Sequence, residues 1–293
     1  MVSVKKLTGS LLLTFFLFAA LGIAAAQEHS DGMMGPPPVL VVFREVLKPG
    51  KMGSTHEKSE SAFVQAYARA NWPTHYFAVD SLSGHPRSLF FTGYDSFAAW
   101  EKDSLATQKN AQLSAALDRA ALADGDLLSE AELLVLRFDE KYSLRADVDI
   151  AHMRYFEVGS YRVKPGHHHE WDEAVKLVKA AYEKIPDAHW ATFRAVYGTE
   201  DEGYAIFTPL KSLAEVDKSF MESKDFVTAM GEEGMRKLHE LESSAIASTS
   251  SQLFQFNPRM SYPPDAWVKA DPDFWKPKMP APAKKSEKEP SKR

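Results

Sequence analysis

VLVVFREVLKPG (Val39 to Gly50) and YFEVGSYRVKPG (Tyr155 to Gly166) lie 116 residues apart and read alike. Each is a run of branched and aromatic residues closed by Lys-Pro-Gly, the pattern of a β-strand that ends in a turn. Helical spacing takes over after each turn. In the second copy Trp171, Ala174, Val178, Ala181, Tyr182 and Ile185 form a stripe at i, i+3/i+4 and i+7. With one extra residue allowed, the first copy offers His56, Ser59, Phe63, Ala66, Tyr67 and Ala70. Ser54-Thr55-His56-Glu57 fits a capping box that would open this helix.

The parallel runs on. THYFAVDSL (Thr74 to Leu82) and HWATFRAVY (His189 to Tyr197) read as second strands, aligned so that His75 matches Trp190. SLFFTGYDSFAAW (from Ser88) and YAIFTPLKSLAEV (from Tyr204) each read as a third strand, a turn and a helix begun near Ser96 or Ser212. Longer helical stretches follow, Asn110 to Ala123 and Asp225 to Ala247. LRFDEKYS (Leu136 to Ser143) and FQFNPRMSY (Phe254 to Tyr262) are expected as fourth strands. Each copy is therefore β-α-β-β-α-β with an inserted helix, a ferredoxin-like α+β unit. The first strand is apolar on both faces, with Leu40, Val42 and Val46 on one and Val41, Phe43 and Leu47 on the other. A second apolar face needs cover. The matching face of the sister repeat supplies it, which predicts a pseudo-dimeric, eight-stranded antiparallel α/β barrel within one chain.

On these two strand–Lys-Pro-Gly–helix copies, and on the strand order after them, the chain resembles the dimeric α/β-barrel superfamily. That superfamily includes antibiotic-biosynthesis-type and haem-degrading monooxygenases, chlorite-dismutase-like proteins and NIPSNAP-type domains. The resemblance covers roughly residues 38 to 262 and implies a fold, not a reaction. Haem-degrading relatives use an Asn/Trp/His set with the His on a helix. Here Trp100 opens a helix, but neither repeat carries those three at matching positions.

The ends read differently. Lys5 and Lys6 precede an apolar run, Leu11 to Ala26, that finishes in small residues. This is the form of a secretory signal over residues 1–26, and it implies a periplasmic or extracellular protein. The expected organisation continues as a disordered leader (27–37), a first repeat (38–145), a second repeat (150–262) and an extended Pro/Lys-rich tail (263–293). Trp267, Phe274 and Trp275 suggest that part of this tail packs back on the domain. The chain has no cysteine, so neither disulfides nor thiolate chemistry is open to it. Its net charge of −5, or −7 without Lys5 and Lys6, argues against nucleic acid as a partner. No membrane span is expected after signal cleavage.

No cofactor is implied by the sequence. The triple histidine His167-His168-His169 is a weak metal candidate, because adjacent helical side chains point about 100° apart and cannot share one ion. His56 takes a stripe position held by Trp171 in the sister repeat. If the face of His75 and Trp190 looks into the barrel, then Phe77, Val79, Thr192 and Arg194 line it too, and Arg194 needs a partner such as Glu157. Glu157 and Tyr161 share one strand face. Ligand-binding candidates are thus His56, His75, Trp190, Arg194, Glu157 and Tyr161. The leading expectation is a small, largely apolar ligand held in or beside the barrel. Alternatives are a cofactor-independent monooxygenase or isomerase using His75, Trp190 and Arg194, and a haem or metal carrier.

Overall fold

The computed structural model describes residues 35–198 and 203–276. The segment expected as a signal (1–26), most of the expected leader and the end of the tail lie outside the described residues. The first repeat runs β1 (Val39–Leu47), α1 (Ser54–Ala70), β2 (Tyr76–Ser81), β3 (Arg87–Tyr94), α2 (Phe97–Lys109), α3 (Ala111–Gly125) and β4 (Leu128–Phe138). The second runs β5 (Tyr155–Val163), α4 (His168–Tyr182), β6 (Ala191–Tyr197), β7 (Gly203–Leu210), α5 (Ala214–Ala245) and β8 (Ile246–Phe256). Two short helices follow, α6 (Asp265–Ala270) and α7 (Pro272–Trp275).

All eight strands form one closed barrel in the order β1-β3-β2-β8-β5-β7-β6-β4, every pair antiparallel. Each repeat contributes a four-stranded sheet, and the seams are β2 with β8 and β4 with β6. The two copies match down to an irregularity: register slips at Val46/Leu47 against β4 and at Arg162/Val163 against β8. Both Lys-Pro-Gly corners end in a left-handed glycine, Gly50 at φ 75° and Gly166 at φ 84°, a conformation that side chains resist.

The strands alternate as a two-sided sheet must. Leu40, Val42, Val79, Phe91, Phe156, Phe193, Phe207, Phe254 and Phe256 fill the barrel as one apolar cluster. Their rings pack at centroid separations such as 4.9 Å for Phe77–Phe91 and 5.5 Å for Phe91–Phe207. At the end near Trp267 the described residues leave a gap of about 80 Å³. The barrel interior is therefore a packed core, which moves any sizeable ligand outside it. Trp267 and Trp275 are buried at that end, and Trp275 Nε1 donates to the Ala151 carbonyl (2.8 Å).

Several boundaries depart from expectation. The fourth strands begin earlier, at Leu128 and Ile246, and end where they were expected to be under way. After β4, Asp139 accepts from the Tyr142 backbone and turns Glu140–Tyr142 into a 3-10 helix. The capping box does not form: Gly53, at φ 80°, caps α1, so Ser54 already lies inside the helix. α5 carries a kink at Gly231 (φ 73°, ψ 166°), which joins two helical stretches. The part of the tail from Asp265 to Trp275 is helical, not extended. Among the described residues no helix is long and apolar enough to cross a membrane.

Candidate metal centre

The outer face of each sheet lies under its own helices, and there the two repeats diverge. In the second repeat Tyr161 and Tyr204 are cross-strand partners on β5 and β7, covered by Trp171 and Val175 of α4. Trp171 stacks on Tyr204 at 5.0 Å and meets Tyr161 at 5.4 Å. In the first repeat the corresponding cross-strand pair is Glu45 and Ser88, and the helix presents His56 and Glu60. An aromatic cluster in one copy is thus an acid–imidazole cluster in the other.

Three elements converge there. β1 brings Glu45, α1 brings His56 and Glu60 one turn apart, and the last turn of α3 brings Asp124. Their exposures are 3%, 1%, 3% and 2%. His56 Nε2 lies 2.9 Å from Glu45 Oε2, 3.9 Å from Glu60 Oε1 and 3.7 Å from Asp124 Oδ1. One ligand atom from each residue falls within 4.8 Å of all the others, and among the described residues this is the one group of three or more such side chains so placed. A tetrahedral ion with bonds of about 2.1 Å holds its ligand atoms about 3.4 Å apart, inside the observed spread.

The electrostatics are those of a buried acid cluster. Burial raises Glu60 to about 10, and the charges of Glu45, Asp124 and Asp80 add to the effect. Burial also raises Glu45, against the lowering pull of its hydrogen bond to His56. Among the described residues, Glu60 Oε1 and both oxygens of Asp124 lack a hydrogen-bond partner. Leaving such groups unpaired costs about 1–3 kcal/mol each, more when charged. Asp124 also sits at the negative end of α3, where the helix dipole disfavours a carboxylate.

The far side of the imidazole is tied down. Ser88 Oγ donates to Asp80 Oδ1 and lies 3.3 Å from His56 Nδ1, so it accepts from Nδ1–H. Asp80 Oδ2 in turn accepts from Asn257 Nδ2 at 2.7 Å. This chain orients the ring and leaves the Nε2 lone pair facing the three carboxylates, as a metal-ligating histidine requires. Phe90 closes one side, edge-on to the ring at 6.3 Å.

Of the residues singled out in the sequence, only His56 belongs to this cluster. Glu157, Tyr161 and Trp190 instead line a separate cavity under α4 and α5. His75 packs tilted against Tyr262, ring centroids 4.7 Å apart, near the start of β2. The assumed His75/Trp190 alignment is off by one. Phe77 and Val79 join the barrel core, whereas Thr192 is buried under helices with Oγ1 on the Tyr142 carbonyl, and Arg194 is exposed. The true match is Phe77 with Phe193, so His75 and Trp190 point to opposite faces. Glu157 pairs in register with Thr208 and Arg194 with Tyr204, four residues apart along β7, so these two are not neighbours. In the triple histidine, His167 contacts Ser244 (3.2 Å) and Glu170 (3.4 Å), and His168 and His169 are exposed at the surface.

Glu45, Glu60 and Asp124 escaped the sequence reading because acids on amphipathic elements normally mark the solvent side. A signal was present in α1: His56 and Glu60 stand at i, i+4 on the same stripe as Phe63. Placing Ser59 on that stripe in place of Glu60 hid it.

No family model and no curated protein matches the chain. Solved structures share its outline. An anthrone oxidase-like protein is 13% identical, with a TM-score of 0.48, over 75% of this chain and 91% of that one. A Fusobacterium nucleatum subsp. nucleatum protein provisionally named a monooxygenase is 12% identical, with a TM-score of 0.47, over 75% and 93%. A chlorite dismutase mutant from Candidatus Nitrospira defluvii is 10% identical, with a TM-score of 0.43, over 80% and 95%. Likeness at this level concerns the fold and carries no chemistry.

Proposed function

We propose that the first repeat is a metal-binding unit, with Glu45, His56, Glu60 and Asp124 as ligands to one transition-metal ion. The observation that carries this reading is the convergence on an imidazole nitrogen of Glu60 Oε1 and Asp124 Oδ1, fully buried carboxylate oxygens without a hydrogen-bond partner among the described residues. The fold itself does not require them, since the sister repeat fills the same place with Tyr161, Trp171, Val175 and Tyr204. One imidazole and three carboxylates suit Mn²⁺, Fe²⁺ or Zn²⁺ better than copper(I), which prefers sulfur ligands. A divalent cation would offset most of the negative charge, and its binding would release the proton that burial keeps on Glu60.

Of the three functions considered from the sequence, this is the metal carrier without haem. At 1% exposure the His56 ring has no open face for a macrocycle. Elemental analysis of the purified, untagged protein tests the proposal, followed by titration of the chelated form with Mn²⁺, Fe²⁺ and Zn²⁺. One ion per chain is expected, lost in His56→Ala and in Asp124→Asn. A wild-type protein that binds none of the three with stoichiometry overturns it.

A further inference from the structure

The cavity under α4 and α5 is a second site of different chemistry. It measures about 890 Å³ and opens between the helices and the outer face of the second sheet. Gly159 on β5 contributes no side chain to its floor, and Ile206 and Val178 supply apolar surface. Its walls are aromatic: Tyr161 and Trp171 in contact at 5.4 Å, and Tyr182 edge-on to Trp190 at 5.4 Å. Trp190 is anchored by Nε1 donating to the Tyr142 carbonyl (2.8 Å), and Tyr182 by stacking on Phe226 at 4.8 Å. These rings are therefore held in place before any ligand arrives.

The charge of the lining is one-sided. Six carboxylates face Lys211 and Lys218. Lys218 is already engaged by Asp187 (3.1 Å) and Glu222 (3.4 Å). Glu157 and Glu242 form no ion pair among the described residues. Their charges reach the aromatic walls: both disfavour ionisation of Tyr161, and Glu157 does the same to Tyr182, after burial as the larger cause. Aromatic faces carry negative quadrupoles, so rings and carboxylates here attract the same kind of ligand. Against six carboxylates and two lysines, an anion meets net repulsion.

We propose that this cavity binds an organic cation, an amine or quaternary ammonium with an apolar body. The ammonium lies against Tyr161 and Tyr182 within reach of Glu157 and Glu242, and the body rests on Val178 and Ile206. The site is independent of the metal cluster, which belongs to the other repeat.

Calorimetric titration of the full chain with butyrylcholine, its neutral isostere 3,3-dimethylbutyl butyrate, and butyrate tests the assignment. Butyrylcholine should bind on the order of tenfold more tightly than the neutral ester, and butyrate not at all. Glu157→Gln with Glu242→Gln should abolish that preference while leaving affinity for the neutral ester and the melting temperature unchanged. Should the double variant fold poorly, wild-type affinity for butyrylcholine, but not for the neutral ester, should fall with added salt. Equal binding of cation and isostere by the wild type, or no binding of butyrylcholine, overturns the proposal.

Discussion

Glu60→Gln separates a metal ligand from an acid that merely fills space. In the metal-free protein Glu60 titrates at about 10, against an ordinary 4.5 in the unfolded chain. Between those values the native state keeps a proton that the unfolded chain has released. The stability linked to Glu60 is thus fully present below pH 4.5 and declines as pH rises toward 10, by at most about 1.4 kcal/mol per pH unit. Gln keeps the shape of the protonated acid and does not titrate. In EDTA, Glu60→Gln should therefore gain on the wild type as pH rises, by up to about 2.7 kcal/mol between pH 6 and 8. At about 2–4 °C per kcal/mol for a domain of this size, that is a relative gain of up to about 5–11 °C in Tm. Metal inverts the order: Mn²⁺ at a thousand times its Kd stabilises the wild type by about 4 kcal/mol and the variant far less. Thermal unfolding at pH 6, 7 and 8, in EDTA and in Mn²⁺, reads both effects. A variant whose EDTA deficit is independent of pH, and whose metal response equals the wild type's, would refute the reasoning.

Three further outcomes are expected. Ser88→Ala should weaken metal affinity about 10- to 100-fold by freeing the His56 ring, with one ion still bound at saturation; unchanged affinity by titration would show that Ser88 does not orient the imidazole. Phe91→Ala, at the centre of the barrel with 2% exposure, should cost about 3–5 kcal/mol in urea unfolding. Gly198→Ala should also destabilise, because φ is +87° there and the added methyl would run into the Leu133 carbonyl; a Tm within 1 °C of wild type (~1 °C is the error of such a scan) would contradict that geometry.

The repeat, the strand–corner–helix unit and the closed eight-stranded barrel were all legible in the chain. Each depends on local patterning: β-branched alternation, a glycine that must take positive φ, and helical stripes at the same offset twice. His56 was visible as an oddity because it breaks that offset where Trp171 keeps it. What it does there was not visible. Glu45 is a strand residue, Glu60 a helix residue and Asp124 the end of another helix, and each alone looks like an ordinary solvated acid. Only the packing of α1 and α3 over β1 and β3 takes all three from water at once and brings them to one imidazole. The one-residue slip between His75 and Trp190 has the same origin. A strand's side chains change face at every step, so register comes from pairing across the sheet, and the pairing of Phe193 with Ala205 and Phe138 lies outside any one strand's sequence.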